Sequence, residues 1–207
     1  TKVVPRGSVD KIFINTTGIG EILYKGISSN NITQNDLILV NRDIGTHGAT
    51  IFASREGMDM NSNLKSDCAS LYPQVKALID GGVKITALRD ATRGGVSAVL
   101  NEWAKQSNIC IEVDEEKIPV CDEVKGICEM LGFEATNLAN EGTFVLAIAK
   151  EDASKAIEIL HTFSEASNAC IVGTVTEQYP QKVVLNSAWG TKRFLDTPTG
   201  ELLPRIC

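Results

Sequence analysis

Residues 83–103 read VKITALRDATRGGVSAVLNEW, and this stretch indicates the fold class. Its first part, 83–88, is apolar and rich in β-branched residues, which predicts a strand, and the glycine-ended stretch 89–95 predicts a loop. Four apolar residues from Val96 to Trp103 then recur at the spacing of one helix face, so an amphipathic helix is expected. A strand, a loop and a helix in succession indicate a protein with both α and β structure.

The rest of the chain repeats this alternation. Further strands are predicted at 36–40, 109–113, 144–149, 169–175, 182–186 and 192–195. Further helices are predicted over 46–56, from a cap at Ser66-Asp67 to Gly81, over 119–131 and over 152–163. Since the last three strands have no helix between them, the expected fold is α+β, with a mixed and antiparallel sheet, helices and a mobile C-terminal tail.

Composition excludes several classes of protein. The chain has 207 residues, 43% of them hydrophobic, and a net charge of −6, which is typical of a folded globular protein and unlike a nucleic-acid binder. The longest apolar run, Phe144 to Ala149, has six residues and is too short to span a membrane. Because the six cysteines form no Cys-x-x-Cys pair and only two histidines are present, no metal site is expected. Free thiols in a chain of this size favour the reducing cytoplasm.

The last cysteine is a candidate nucleophile. Cys207 ends a stretch, 196–207, that contains two prolines and a glycine and therefore resists regular structure. Eleven extended residues span on the order of 35 Å, so a thiol at that distance from Asp196 can visit more than one site. The alternative is a frayed terminus in which the cysteine has no role.

Five segments together point to one family. They are Thr1-Lys2-Val3-Val4, Ser66-Asp67-Cys68, residues 88–95, Ala139-Asn140-Glu141-Gly142 and Pro204-Arg205-Ile206-Cys207. In this order they resemble the HypE family of nickel-iron hydrogenase maturation proteins, in the aminoimidazole-ribotide-synthetase-like ATP-binding superfamily. The likeness is to the C-terminal three-fifths or so of such a protein, and the Pro-Arg-Ile-Cys ending is its most specific part.

The resemblance implies a domain organisation. Residues 1–34 would be the end of an N-terminal ATP-binding-type domain that is truncated here. Residues 35–186 would form a C-terminal PurM-like α+β domain. Residues 187–207 would form a terminal strand and a tail that carries the acceptor cysteine.

The resemblance also implies a reaction in two stages. A HypF-type carbamoyltransferase would place a carbamoyl group on the Cys207 sulfur, and ATP with Mg²⁺ would drive its dehydration to a thiocyanate. The cyanide would pass to iron held by a HypC-HypD complex, and the protein would be a homodimer. Glu141 is the implied base. Lys2 and Thr1 match the edge of the nucleotide site, where Lys2 would neutralise phosphate charge.

Two glycine-rich loops are candidates for tail docking or anion contact, because each precedes a predicted helix whose backbone N–H groups point outward. The residues singled out in them are His47 in the first loop, and Arg89, Asp90, Arg93, Gly94 and Gly95 in the second. The structural alternative for the second loop is that Asp90 and Arg93 pair with each other and with the backbone and so hold the strand-to-helix turn. His47 is also a candidate proton carrier, since imidazole exchanges protons near neutral pH.

The remaining thiols are expected to be buried and inert. This expectation covers Cys68, Cys110, Cys121, Cys128 and Cys170, although a helix dipole at the predicted helix start would activate Cys68. Two competing functions stay open. One is another superfamily enzyme, such as a selenophosphate synthetase or a thiamine-monophosphate kinase, and neither needs a terminal cysteine. The other is a docking module that presents Cys207 without ATPase activity.

Overall fold

A computed structural model of the chain describes residues 15–58 and 64–197. Within these residues the helices are α1 Thr46–Arg55, α2 Tyr72–Asp80, α3 Gly95–Ser107, α4 Asp122–Leu131 and α5 Ala153–Leu160. The strands are β1 Leu37–Val40, β2 Ile85–Asp90, β3 Cys110–Asp114, β4 Phe144–Ile148, β5 Cys170–Thr176, β6 Lys182–Asn186 and β7 Lys192–Phe194. Each corresponds to an element that the sequence predicts, although α2 begins later than expected.

The strands form one mixed sheet in the order β2-β4-β1-β5-β3-β6-β7. Neighbouring strands are antiparallel except β3 and β6, which run parallel. The α+β class with a mixed and antiparallel sheet is therefore confirmed. The tail beyond residue 197 lies outside the described residues.

Strand alternation divides the core between the two faces of the sheet. Ile38 and Val40 of β1 pack on one side with Trp103 of α3, while Leu39 packs on the other side with Leu160 of α5. Successive side chains of a strand point to opposite faces, so a single buried strand contributes to both cores. Helix α2 joins α5 on the second side through Leu78.

A third apolar cluster places α1 against α4. Ala49 and Ala53 of α1 contact Val124 and Ile127 of α4, and Leu138 completes the cluster. Because Leu138 leads directly into the turn 139–142, this packing brings the turn to the first residues of α1. The contact is confirmed by a hydrogen bond from the Gly48 N–H to the Ala139 carbonyl, 2.9 Å long.

The predicted cap of α2 is wrong. Ser66 and Asp67 precede the helix by several residues, and α2 begins at Tyr72 with Pro73 in its first turn. Asp67 instead accepts hydrogen bonds from the distant segment 141–143. A carboxylate that already has three donors there has no role in capping α2.

Among the described residues, no helix is long and apolar enough to cross a membrane.

Candidate functional site

Asp67 fixes the backbone of the turn 139–142. Its side chain is 2% exposed, and its two oxygens accept from the Glu141 N–H at 3.0 Å, the Gly142 N–H at 3.0 Å and the Thr143 hydroxyl at 2.9 Å. The Arg42 guanidinium donates to the Asp67 backbone carbonyl at 3.3 Å. Buried polar groups need such partners, and here the partners belong to the turn that contains Glu141.

Asn140 connects the turn to both glycine-rich loops. The side chain is fully buried, and its Oδ1 accepts from the Gly45 N–H at 2.7 Å, just before α1. Its Nδ2 donates to the Ala91 carbonyl at 2.8 Å, just after β2, and to the Leu138 carbonyl at 3.1 Å. One amide thus joins three segments that are far apart in the sequence.

Close backbone contact makes glycine necessary at position 142. A Cβ atom there would lie 1.8 Å from the Asp67 carbonyl oxygen, a distance that no side chain tolerates. Asn41 also holds this backbone, because its side chain donates to the Gly142 carbonyl at 3.3 Å and accepts from the Phe144 N–H at 2.9 Å. The Glu141 backbone therefore has little freedom, and only its side chain can adjust.

Glu141 and His47 face each other. The His47 Nε2 lies 4.0 Å from the Glu141 Oε1, with the histidine side chain 8% exposed and the glutamate side chain 29% exposed. The other ring nitrogen, Nδ1, lies 2.8 Å from the Ser66 Oγ. Among the described residues, Nε2 has no hydrogen-bond partner although it is buried. The result is a carboxylate at the surface with an imidazole directly behind it.

Cys68 corrects one expectation. Its thiol is exposed, and its sulfur accepts a hydrogen bond from the Ser66 hydroxyl at 3.1 Å, so the prediction that it is buried is wrong. Within the segment 66–68, Asp67 points inward to the turn 139–142, while Cys68 is exposed.

The other described cysteines fit the expectation of inert thiols. Cys110 and Cys128 are buried, while Cys121 and Cys170 are partly buried. Burial raises the pKa of the Cys121 and Cys128 thiols and raises the pKa of Cys170 to about 11. A thiol that stays protonated is a poor nucleophile.

The loop before α3 does not contain the ion pair between Asp90 and Arg93 that the sequence offered as an alternative. Strand β2 runs through Asp90, and Arg89 pairs with Glu102 of α3. Asp90 and Arg93 are both exposed and, although both are described, form no ion pair with each other, so the alternative that this pair fixes the turn is wrong. The guanidinium of Arg93 faces solvent.

The two glycines of that loop allow a backbone conformation and a close contact that other residues would not. Gly94 precedes α3 with a φ of 76°, a conformation that glycine adopts without strain. Gly95 has a φ of 61°, and a Cβ atom there would lie 2.4 Å from the Thr136 carbonyl oxygen. The loop is thereby packed against the segment that leads to Asn140.

Three sequence candidates lie outside the described residues: Thr1, Lys2 and Cys207. Of the others, Glu141 and His47 come together, and the residues of the 89–95 loop reach the same turn through Asn140. Within residues 15–58 and 64–197, no group of three or more His, Cys, Asp or Glu side chains is placed to bind a metal ion.

The roles of Asp67, Asn140 and Ser66 were not predicted from the sequence. Asp67 and Asn140 are buried polar residues, and each accepts a hydrogen bond from a backbone N–H of a remote segment. The available signal was that they stand in short segments that also contain an ionisable residue, Cys68 in one and Glu141 in the other. Their partners depend on tertiary contacts that spacing alone does not predict.

The chain matches a known family. The family described as AIR synthase related protein, C-terminal domain, matches residues 33–186. The carbamoyl dehydratase HypE of Escherichia coli is 45% identical over 211 residues, which cover 100% of this chain and 61% of that protein. The carbamoyl dehydratase HypE of Rhodobacter capsulatus is 36% identical over 208 residues, with 100% and 61% covered. The chain therefore spans about three fifths of the length of these relatives.

Solved structures agree with this likeness. A hydrogenase maturation protein HypE in complex with ATP is 38% identical, with a TM-score of 0.93 over 100% of this chain and 63% of that one. A HypE-HypF complex contains a chain that is 37% identical, with a TM-score of 0.80 over 85% of this chain and 58% of that one. A thiamine monophosphate kinase from Aquifex aeolicus, 19% identical with a TM-score of 0.53 over 81% of this chain and 54% of that one, shares the fold alone.

Proposed function

The chain belongs to the AIR synthase-related family, in its HypE group, and from this membership we propose that it acts in nickel-iron hydrogenase maturation. In the proposed reaction the Cys207 thiol accepts a carbamoyl group, and ATP drives the dehydration of that group to a thiocyanate. The chain supplies the acceptor and the base of this reaction as part of a full-length protein.

The observation that supports the proposal best is the position of Glu141. Asp67 and Asn140 fix the turn around it from both sides, while the carboxylate itself remains partly exposed at 29%. A general base needs a defined position and access to the substrate, and Glu141 has both.

The path of the chain toward the tail agrees with this position. The Leu195 carbonyl accepts from the Asn101 side chain, and the Asp196 carbonyl accepts from the Ser97 hydroxyl in the first turn of α3, both at 2.9 Å. Gly95, at the start of α3, contacts the Thr136 and Leu138 carbonyls that precede the turn 139–142. Residues 195–197 therefore lie along α3, the helix whose first residue packs on the segment before the turn 139–142. Because eleven residues span on the order of 35 Å, Cys207 is within reach of that turn.

The chemistry requires a base and an activated oxygen. The amide oxygen of the carbamoyl group takes the γ-phosphoryl group of ATP, releasing ADP, and then leaves as phosphate while the carbon–nitrogen bond becomes triple. The nitrogen loses two protons in the course of this change. Glu141 acts as the base at the nitrogen, both protons finally leave to solvent, and the step involves no oxidation or reduction.

The described residues fit ATP in part. A HypE of known structure binds ATP. Here the exposed Arg93 beside two glycines is chemically suited to phosphate, and Lys2 and Thr1 would lie at the edge of the nucleotide. Since the described residues include no cluster of metal ligands, Mg²⁺ would be bound through the phosphates and residues outside this part of the chain.

The partners follow from the same membership. A HypE has been solved in complex with HypF, and a HypF-type carbamoyltransferase is the proposed donor for this chain. A HypC-HypD complex would receive the cyanide, and a homodimer is proposed. Ile19, Ile22 and Leu23 are highly exposed, which supports a covering partner for the segment before β1. The five described cysteines are free, as in a cytoplasmic protein.

The experiment is mass analysis of the cysteine peptides. The full-length protein is incubated with a HypF-type carbamoyltransferase, carbamoyl phosphate and ATP, and compared with the variants Cys207→Ala and Cys68→Ala. We expect the Cys207 peptide to gain about 43 Da and then to lose about 18 Da, and Cys207→Ala to show neither change. Cys68→Ala, which removes another exposed thiol, should load normally. Loading of Cys68 in place of Cys207 would contradict the proposal.

The docking module is the second candidate for the chain alone, because the chain spans about three fifths of the length of its HypE relatives. The same peptides distinguish the two cases. A chain that is loaded but never loses 18 Da, while the full-length protein does lose it, would act only as acceptor.

A further inference from the structure

Helix α2 packs on the sheet beside α5, yet one of its side chains is connected to the turn 139–142. Gln74 is 3% exposed and accepts a hydrogen bond from Asn41, a residue that itself contacts the turn. We propose that Gln74 is a positioning residue for Glu141 and that it acts through Asn41. The inference rests on the proposed function of Glu141 and adds a residue of another element to it.

Packing alone does not account for a glutamine at position 74. A buried amide lowers stability unless its polar atoms are hydrogen-bonded. Leu78 lies one helical turn later and packs in the apolar cluster between α2, α5 and the sheet, so an apolar side chain would suit this side of α2. Gln74 instead places its Oε1 3.0 Å from the Asn41 Nδ2, 33 residues earlier in the sequence.

Two backbone groups define the orientation of the Asn41 amide. The Phe144 N–H is a donor, and its acceptor is the Asn41 Oδ1 at 2.9 Å. The Gly142 carbonyl is an acceptor, and its donor is the Asn41 Nδ2 at 3.3 Å. Because Nδ2 can only donate, the Gln74 atom opposite it must be the oxygen. The direction of every hydrogen bond from the turn to Gln74 is therefore fixed by the backbone.

The peptide groups on both sides of Gly142 are held by different residues. The Glu141 and Gly142 N–H groups donate to the Asp67 carboxylate, each at 3.0 Å. The Gly142 carbonyl accepts from Asn41. Since Asp67 holds the N–H groups and Asn41 holds the carbonyl, the backbone here is restrained from two sides. This restraint sets the direction in which the Glu141 side chain leaves the chain.

Gln74 keeps Asn41 in place for its contact with the turn. The Asn41 Nδ2 has two hydrogens and two acceptors, the Gln74 Oε1 and the Gly142 carbonyl. Asn41 is fully buried, so removal of the Gln74 oxygen leaves one of these hydrogens without an acceptor. Rotation of the amide toward another acceptor would weaken its bonds to Gly142 and Phe144.

A small displacement of the turn is enough to affect the reaction. A shift of about 1 Å at a catalytic group can cost on the order of 10²-fold in rate. Gln74 is too deeply buried to contact a substrate, so its effect on the rate must pass through Asn41. Loss of one of several restraints on the turn should therefore slow the reaction less than loss of the base itself.

The first test does not depend on the reaction. Gln74→Met keeps the length of the side chain and removes the acceptor oxygen. In the full-length protein we expect hydrogen–deuterium exchange of the amides 141–144 to become about fivefold faster, because their hydrogen bonds open more often. Exchange in α5, which packs beside α2, should not change. General loosening of the core would instead accelerate exchange in both segments.

The matched control is another glutamine that accepts a side-chain hydrogen bond. Gln106 lies near the end of α3, and its Oε1 accepts from the Ser29 hydroxyl at 2.6 Å. Gln106→Met should leave the exchange of 141–144 and the rate of dehydration unchanged. An equal effect of the two methionine variants would contradict the assignment of Gln74.

The second test is a single turnover of the full-length protein carbamoylated on Cys207. We expect Gln74→Met to be loaded normally with an unchanged KM for ATP, while the loss of about 18 Da slows about tenfold. Gln74→Glu retains an oxygen at the position of Oε1 and should dehydrate within about threefold of the wild-type rate. A residue that only fills space would give the opposite order, because a buried methionine is tolerated better than a buried glutamate.

A folded Gln74→Met with wild-type exchange in 141–144, or with a wild-type rate of dehydration, would overturn the inference. A folded Gln74→Glu that is slower than Gln74→Met would also overturn it. Gln74→Leu, which lacks the oxygen as well, serves in both measurements if the methionine variant does not fold. Normal dehydration by Glu141→Gln would instead overturn the proposed base, and the exchange of 141–144 would still decide whether Gln74 holds the turn.

Discussion

The loops before α1 and α3 end in the same backbone conformation, but the side chains near them differ in burial. Gly45 precedes α1 with a φ of 79°, and Gly94 precedes α3 with a φ of 76°. In the first turn of α1, His47 points inward and is 6% exposed. Between β2 and α3, Asp90 at the strand end and Arg93 in the loop are both exposed. Glycine at a helix start therefore does not by itself define an anion site.

Both loops are attached to one polypeptide turn. Asn140 accepts from the Gly45 N–H and donates to the Ala91 carbonyl, so a single side chain holds the two loops at the turn that contains Glu141. The difference between the loops lies in side chains. At the start of α1 a buried imidazole lies beside Glu141, whereas the loop before α3 packs through Gly95 and leaves Arg93 exposed.

The largest effect on stability is expected when the Asn140 side chain, which bridges the two loops, is removed. Asn140→Ala leaves the buried Gly45 N–H without its acceptor and removes a donor from the Ala91 carbonyl. We expect a loss of about 3 kcal/mol in the free energy of unfolding, measured by urea titration. Asn168→Ala is the matched control, since Asn168 is exposed, and it should change stability by less than about 0.5 kcal/mol. Equal effects of the two variants would show that the bridge is unimportant.

The second prediction separates packing from backbone conformation in the α3 loop. Gly95→Ala places a Cβ atom 2.4 Å from the Thr136 carbonyl oxygen at a φ of 61°, while Gly82→Ala has a φ of 70° and open space around it. Gly82→Ala should cost about 1 kcal/mol from conformation alone, and Gly95→Ala should cost about 1 to 2 kcal/mol more. Thermal unfolding of both variants measures this difference. A similar cost for both would mean that the loop does not pack tightly on the turn.

How much of this arrangement the sequence predicts depends on the range of the interaction. The strands and the stripe from Val96 to Trp103 follow from local periodicity and are confirmed, because burial on one face imposes a period on each element. The cap at Ser66-Asp67 and the buried Cys68 are wrong because the partner of Asp67 is a turn more than seventy residues away. Glu141 was selected by resemblance, whereas its contact with His47 required the three-dimensional fold.

The third prediction compares the reactivity of two thiols, Cys68 and Cys170. Cys68 is exposed beside Ser66, while Cys170 is partly buried with its pKa raised to about 11. Below that pH Cys170 stays protonated, and its thiolate fraction rises only as the pH approaches 11. At pH 8 we expect iodoacetamide to alkylate Cys68 at least about tenfold faster than Cys170. Mass analysis of the two cysteine peptides over time measures both rates. Faster labelling of Cys170 would contradict the exposure of the segment 66–68.

The smallest effect on stability is expected at the solvent side of the α3 loop. Arg93→Ala removes an exposed guanidinium and should change the free energy of unfolding by less than about 0.5 kcal/mol. If Arg93 contacts phosphate as proposed, the KM for ATP should rise severalfold in the full-length protein. A stability loss comparable to that of Asn140→Ala would show instead that Arg93 is structural.

The most direct measurement is the mass of the Cys207 peptide during one turnover of Glu141→Gln. If the turn 139–142 supplies the base, this variant of the full-length protein should gain about 43 Da from the carbamoyltransferase as the wild type does, yet should lose about 18 Da at least 10²-fold more slowly. Loss of 18 Da at the wild-type rate would contradict the account, because the dehydration would then have its base elsewhere.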